Sequence, residues 1–236
     1  MEQRHLRLRS STFFRSVPDM ELRRIEERCT FRIYEVGESI ITQGDDAQAV
    51  YFVLSGEARA SIFSSDGRLV HLQDLLPGAV FGELAAIDGA PRSATVEARK
   101  TSLIASMPGR SFRDVLIEQP RLGLHVLERT VALVRRLTER VYEYAMLSVN
   151  ERIQAELLRL AYAVKPGASG VVRLEPAPVH GDIANRVSAR REAVAREMSR
   201  LSRLGLVTRE GRDLVIHDVG TLAEMVAAAL AGADED

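Results

Sequence analysis

The sequence predicts an α+β chain in three parts: an antiparallel roll or barrel of short strands in residues 1–119, one long helix and a hinge in 120–149, and a helix pair with a following hairpin in 150–236. Three observations carry this. From 31 to 107, runs rich in Val, Ile, Phe and Tyr (FRIYEV, SIITQ, AVYFVLS, ARASIF, LVHLQDL, SATVEA, SLIASM) are separated by Gly37, Gly44, Asp45, Gly56, Gly67 and Gly78. Regularly spaced short strands with glycine at the corners close into a roll or barrel. Leu124, Leu127, Val131, Val134, Thr138, Val141, Ala145 and Ser148 fall at alternating spacings of three and four, which is a heptad seam. Finally, Ile183, Ala184 and Val187, then Val194, Met198, Leu201 and Leu204, mark the apolar faces of two short helices joined by a tight bend.

Composition narrows the function classes. At 236 residues with a formal net charge of −1 at pH 7, the chain suits one large domain or two smaller ones, and any nucleic-acid affinity must come from a local basic face. The start, MEQRHLRLRS, is charged and the apolar runs are short, so neither a signal peptide nor a membrane span is expected and the expected location is cytoplasmic. Cys29 is the single cysteine. An intrachain disulfide and a cluster built on thiolates are therefore excluded, and no metal is expected. Cys29 itself reads as a small buried apolar residue.

Ahead of the strands, FFRSVPDMELRRIEER reads as a turn and a short helix over 19–28, with Pro18 at its start and Asp19 and Glu21 in the first turn. Phe13, Phe14, Leu22 and Ile25 are its packing residues. After Pro108, SFRDVLIEQP is a short helix stopped by Pro120. The long helix then runs from 120 to about 147, and a helix of that length with a narrow apolar stripe packs on a copy of itself. A homodimer is expected, with Leu133, Leu137 and Tyr144 beside the seam packing on the chain itself. Ser148, Val149 and Asn150 interrupt the stripe and offer caps for a new helix over 151–164, which sets the hinge there. KPGASG is a surface loop, VVRLEP a strand into the second domain, TLAEMVAAALAG a last amphipathic helix after Gly220, and ADED a mobile tail.

The chemistry concentrates in residues 81–96, FGELAAIDGAPRSATV. Gly82 lets backbone pass close to an anion, and the amides of Glu83, Leu84 and Ala85 open a helical turn whose positive end faces it. Arg92 supplies a charge-assisted fork for the same phosphate and Ser93 a hydroxyl. A carboxylate beside a phosphate makes sense if Glu83 accepts a hydrogen bond from a sugar 2′-hydroxyl while Arg92 balances its charge. Sugar and phosphate held in so small a loop suggest a cyclic nucleotide; the plainer reading is an ordinary turn-helix bend with a surface arginine.

This stretch resembles the phosphate-binding cassette of cyclic-nucleotide-binding domains, in the version carried by the CRP/FNR family of bacterial transcription regulators, and the resemblance covers nearly the whole chain. It implies a β-roll in residues 1–119, a dimerisation helix, and a C-terminal winged helix-turn-helix. It implies that Gly82, Glu83, Arg92 and Ser93, with amides near Leu84 and Ala85, hold the ribose and cyclic phosphate. In the family two adjacent residues of the long helix meet the base, one from each subunit. Thr138 stands at the second of these positions and Leu137 replaces the hydroxyl expected at the first. Thr138 alternatively bonds a carbonyl one turn back. Branches of the family that carry a cysteine-ligated cluster are excluded by the lone Cys29.

Residues 180–207 resemble the same family's helix-turn-helix, and LVTREGRDLVIH its wing, with a turn at 210–212. Ser188 stands where the bend usually has glycine. Residues 182–212 hold eight arginines against four acids, an excess suited to phosphate contacts. The recognition helix is expected to start near Arg190 and to present Arg190, Arg191, Glu192 and Arg196. Arginine reads guanine through a two-pronged bond and glutamate accepts from cytosine, and Arg191, Glu192 and Arg196 match the family's Arg-Glu-x-x-x-Arg. His180, Arg186 and Arg200 are phosphate candidates.

The leading expectation is a homodimeric, sequence-specific regulator of two-fold-symmetric double-stranded DNA, gated by cyclic AMP, with RNA polymerase as a further partner through the loop 165–170. Cyclic GMP stays open, since Ser93 and Thr138 serve either base. So do another small effector, haem ligated by one of His5, His71, His125, His180, His217 or Cys29, and constitutive DNA binding. An enzyme is not expected: no G-x-S-x-G, H-E-x-x-H, P-loop or paired-cysteine pattern occurs.

Overall fold

The computed structural model describes residues 7–63 and 69–232. Gly67, His5 and the ADED tail lie outside the described residues. The chain divides into two compact units, Met1–Ala132 and Leu133–Asp236.

The first unit opens with two short 3-10 turns, Arg7–Ser10 and Thr12–Phe14, and helix α1, Asp19–Glu26. Pro18 occupies the N-cap position and Asp19 and Glu21 the first turn, where the helix dipole favours acids. The strands follow: β1 (Thr30–Tyr34), β2 (Ser39–Ile41), β3 (Val50–Phe63), β4 (Leu69–Leu75) and β5 (Val80–Phe81), then helix α2 (Glu83–Asp88), β6 (Thr95–Met107) and helix α3 (Gly109–Glu118). The sheet is antiparallel in the order β1-β6-β3-β4, with β2 on β6 and β5 on β3.

One expectation changes here. Gly56 is no corner: β3 runs through it as a single strand of 14 residues, and 95–98 and 102–107 likewise join in β6. Gly56 sits at φ +86, where an added Cβ would stand 2.2 Å from Ser102 Oγ and 2.5 Å from the Thr101 carbonyl. It is therefore a bulge where two long strands cross closely, not a turn.

Alternation along β3 serves two cores. Val50, Phe52 and Leu54 join Phe13, Phe14, Leu22, Ile25 and Phe112 in one cluster, while Val53, Ala58 and Ala60 join Leu75, Phe81, Val96 and Ile104 in the other. Half-buried Cys29 packs on the first, and burial followed by the nearby Glu26 carboxylate pushes its thiol up to about 12.

Helix α4, Pro120–Met146, begins at Pro120, a residue whose fixed φ and missing N–H suit a first turn. Leu122 and Val126 are buried in the first unit's core, whereas every seam residue from Leu124 to Ser148 is exposed in the single chain.

In the second unit α5 (Val149–Val164) starts with a capping box: Ser148 Oγ accepts from the Glu151 amide at 3.4 Å, and the Ser148 amide donates to Glu151 at 2.7 Å. Then come β7 (Val172–Leu174), α6 (His180–Arg186), α7 (Arg191–Arg203), β8 (Val207–Glu210), β9 (Asp213–Ile216) and α8 (Val219–Gly232). The small sheet is ordered β7-β9-β8, with Glu210 opposite Asp213 across a turn holding Gly211 at φ +61. Helix α8 starts ahead of the expected position because Asp218 caps it, accepting from the Thr221 amide at 2.8 Å.

Candidate nucleotide cradle and nucleic-acid interface

β5 delivers the chain to Gly82 at φ +81. A Cβ there would lie 2.6 Å from Arg92 Nη1 and 2.8 Å from the Ala49 carbonyl, so only glycine permits the approach. Glu83, Leu84 and Ala85 form the first turn of α2, and their amides have no intrahelical acceptor. Helix α2 is held from behind: Arg113 donates to the Ala86 carbonyl, and Gly109 of α3 comes so close that its added Cβ would meet the Ala86 Cβ at 3.3 Å.

Arg92 is fixed at main chain and side chain alike. Its amide donates to the Asp45 carbonyl and its carbonyl accepts from the Gly44 amide, each at 2.9 Å. Its side chain is buried, with Nη1 donating to the Gly82 carbonyl at 2.9 Å and Nη2 to the Ala49 carbonyl at 2.6 Å. The guanidinium lies 5.7 Å from the Tyr51 ring centroid, and Tyr51 stacks on Phe81 at 5.1 Å. Nε is buried without a hydrogen-bond partner.

Burial lowers the Arg92 guanidinium from its ordinary value, while Tyr51, Asp45 and Glu83 act the other way; arginine remains protonated nonetheless. Burial raises the Glu83 carboxyl, against its own amide and the cations Arg129 and Arg92. A buried cation whose hydrogen-bonded partners are neutral carbonyls and whose Nε is unmatched fits a small anion. The half-buried carboxyl of Glu83 beside it fits a hydroxyl-bearing sugar better than a bare phosphate.

The cassette thus brings Gly82, Glu83, Leu84, Ala85 and Arg92 together; Ser93, next to Arg92, is exposed. Thr138 lies in the second unit on α4, its hydroxyl donating to the Val134 carbonyl one turn back at 3.0 Å, and Leu137 beside it is exposed. Sequence reasoning missed Tyr51 and the Ala49 carbonyl, because both reach Arg92 from more than forty residues away in the chain.

In the second unit Ile183, Ala184, Val187, Val194 and Leu201 are buried and hold α6 against α7. Leu204 is exposed, and Glu197 is buried in the same helix with its carboxylate accepting from Gln154 at 2.7 Å. The bend is closed by the Ala189 amide donating to the Ala184 carbonyl at 2.9 Å, with Ser188 at φ +50. Serine there adopts the left-handed region that glycine takes more cheaply.

Arg190 is the N-cap residue of α7, and Arg190, Arg191, Glu192 and Arg196 are exposed. Arg200 is paired through two nitrogens with Glu197 at 2.9 and 2.8 Å, and Arg186 reaches the buried Glu156 at 3.3 Å. His180 opens α6; burial lowers its imidazolium, and the cations Arg191 and Arg209 lower it further. Among the described residues no helix is long and apolar enough to cross a membrane, and no three His, Cys, Asp or Glu side chains gather as a metal site.

Comparison with known proteins agrees with both halves. Residues 31–119 match the cyclic nucleotide-binding domain and residues 151–225 the Crp-like helix-turn-helix domain. The CRP-like cAMP-activated global transcriptional regulator of Mycobacterium tuberculosis is 25% identical over 79% of this chain and 84% of its own. The cAMP-activated global transcriptional regulator CRP of Haemophilus influenzae is 26% identical over 80% and 84%. A CRP-family transcriptional regulator of Thermus thermophilus is 26% identical and superposes with a TM-score of 0.63 over 84% of this chain and 98% of that one. The c-di-GMP responsive global regulator CLP of Xanthomonas campestris shares the fold at 20% identity, with a TM-score of 0.72 over 85% and 99%. A cyclic nucleotide-binding domain in the first unit, a Crp-like helix-turn-helix domain in the second and relatives named as transcriptional regulators place this chain in the CRP/FNR family, as a cyclic-nucleotide-binding transcription regulator and not an enzyme.

Proposed function

We propose that the protein is a homodimer whose affinity for two-fold-symmetric DNA is gated by cyclic AMP. The observation that carries this is Arg92: a buried guanidinium held on two neutral carbonyls with its Nε unmatched. Bound cyclic nucleotide would supply the phosphate anion and the ribose hydroxyl. Arg92, Ser93 and the amides of Glu83, Leu84 and Ala85 take the phosphate, Gly82 gives it access, and Glu83 accepts from the hydroxyl. Thr138 is assigned to the base. Support for cyclic AMP comes from the relatives named as cAMP-activated. Cyclic GMP is the second reading, left open by Leu137, which brings no hydroxyl to discriminate between bases.

The exposed seam of α4 supports pairing with a second copy. Arg190, Arg191, Glu192 and Arg196 are assigned to base edges and His180 and Arg200 to phosphates. A neighbouring phosphate opposes the cations that depress His180. Two recognition helices acting on symmetric DNA must stand about 34 Å apart, and an effector shifts that arrangement only through its differential affinity for it. A DNA target implies a cytoplasmic location, with RNA polymerase as a partner. The test is mobility shift on a two-fold-symmetric site with cyclic AMP, cyclic GMP or neither, for wild type and Arg92→Leu. Cyclic AMP is expected to tighten wild-type binding at least tenfold and to leave the variant unmoved; indifference of the wild type to every cyclic nucleotide would defeat the reading.

A further inference from the structure

The C-terminal half of α4 is tied directly to the bend of the helix-turn-helix. The Tyr144 hydroxyl donates to the Arg186 carbonyl at 3.1 Å and lies 3.4 Å from Ser188 Oγ. One turn earlier, Arg140 donates through Nη1 to the same carbonyl at 3.2 Å and through Nη2 to Glu156 at 3.0 Å. Glu156 is fully buried on α5 and also pairs with Arg159 and with Arg186, so Arg140 is anchored at both ends of its fork. The Arg152 guanidinium lies 5.2 Å from the Tyr144 ring centroid.

The acceptor matters more than the donors. Arg186 is the last residue of α6, and a helix's final carbonyls have no intrahelical donor. Two donors from α4 satisfy one of them, at the point where the chain turns through Ser188 into α7. The angle between α6 and α7 is thereby referred to α4, past residues 148–150, which the sequence marks as the hinge.

We propose that Arg140 and Tyr144 are positioning residues that latch α4 to the bend of the helix-turn-helix, so that a displacement of α4 is carried to α7 by side-chain contact and not lost at the hinge. This rests on the gating reading for its biological use, but not for its geometry. Tyr144 is partly exposed and Glu156 keeps Arg159 and Arg186 when Arg140 is removed, so Tyr144→Phe and Arg140→Gln leave the fold intact.

The experiment compares full-length wild type and both variants by amide hydrogen exchange and by DNA affinity with and without saturating cyclic AMP. Exchange at 186–190 is expected to quicken severalfold, with the melting midpoint unmoved. The affinity ratio with and without nucleotide is expected to fall at least threefold. Unchanged exchange together with an unchanged ratio overturns the latch. Faster exchange with unchanged affinities also overturns it, by reducing the contact to a local cap. A wild-type ratio of one defeats gating by itself; the latch is then decided by effector-free DNA affinity, which moves at least threefold in the variants if α4 aims α7 and stays fixed if it does not.

Discussion

At the scale of single residues, the first unit stores charge in two places with opposite consequences. Arg92 is buried with its fork on the Gly82 and Ala49 carbonyls and its Nε unmatched. Asp74, by contrast, is already satisfied: it stands opposite Arg59 across the β3–β4 ladder, with Arg59 Nε at 2.8 Å and His71 Nε2 at 3.1 Å. Burial alone would raise the Asp74 carboxyl, but hydrogen bonds from His71 and Arg59 and their charges outweigh it and hold it well below the usual carboxylate range. A carboxyl lowered in the folded state stabilises fully above its unfolded value, about 3.9, and that contribution is lost as pH falls through the lower folded value. Asp74→Asn should therefore cost most at about pH 6 and progressively less toward about pH 3. Urea denaturation of both proteins across that range measures it, and parallel stability curves would rule out Asp74 as an acid-sensitive group.

At the scale of elements, α4 carries the clearest expectation. Its apolar stripe was readable because a heptad is a local pattern, and in the single chain the stripe is uncovered, Val134 at 56% and Val141 at 68% exposure. Val134→Asp should leave the helix folded, since that side chain is exposed in the single chain. It should weaken self-association on the order of 100-fold, or ~3 kcal/mol, by facing two carboxylates across the seam. Sedimentation velocity at micromolar concentration reads the shift, and a monomeric wild type would refute the seam. The cassette was readable for the same reason of locality: Gly82, Glu83 and Arg92 lie within one short segment. What escaped depends on distant partners. Gly56 has the sequence look of a turn, and only its approach to Ser102 makes it a bulge. Glu156 and Glu197 look like solvated helix acids, yet both are buried because Arg140, Arg186 and Gln154 meet them there. Leu204 has the spacing of a core residue but falls at the end of α7, beyond the packed turns.

At the scale of the whole molecule, a chain of net charge −1 must bind a polyanion through one part of itself. Counting arginines overstates that part. Of the eight in residues 182–212, Arg186 is paired with the fully buried Glu156, whereas Arg190, Arg191 and Arg196 are exposed on α7 or at its start. Each phosphate neutralised contributes about 0.9 to the slope of log affinity against log salt, so the slope counts contacts where a single affinity cannot. Arg190→Ala should lower the magnitude of the slope by about 0.9 per chain if its side chain lies on a phosphate. If it reads a base alone, affinity should fall with little change in slope. Arg186→Gln should leave the slope unchanged, because its charge is spent on Glu156 and never displaces a counterion from DNA. Fluorescence anisotropy with a labelled duplex between about 50 and 200 mM salt decides it: an Arg186→Gln slope that drops as far as that of a surface arginine would mean that the ion pair opens on DNA, and that the second unit rearranges internally when it binds.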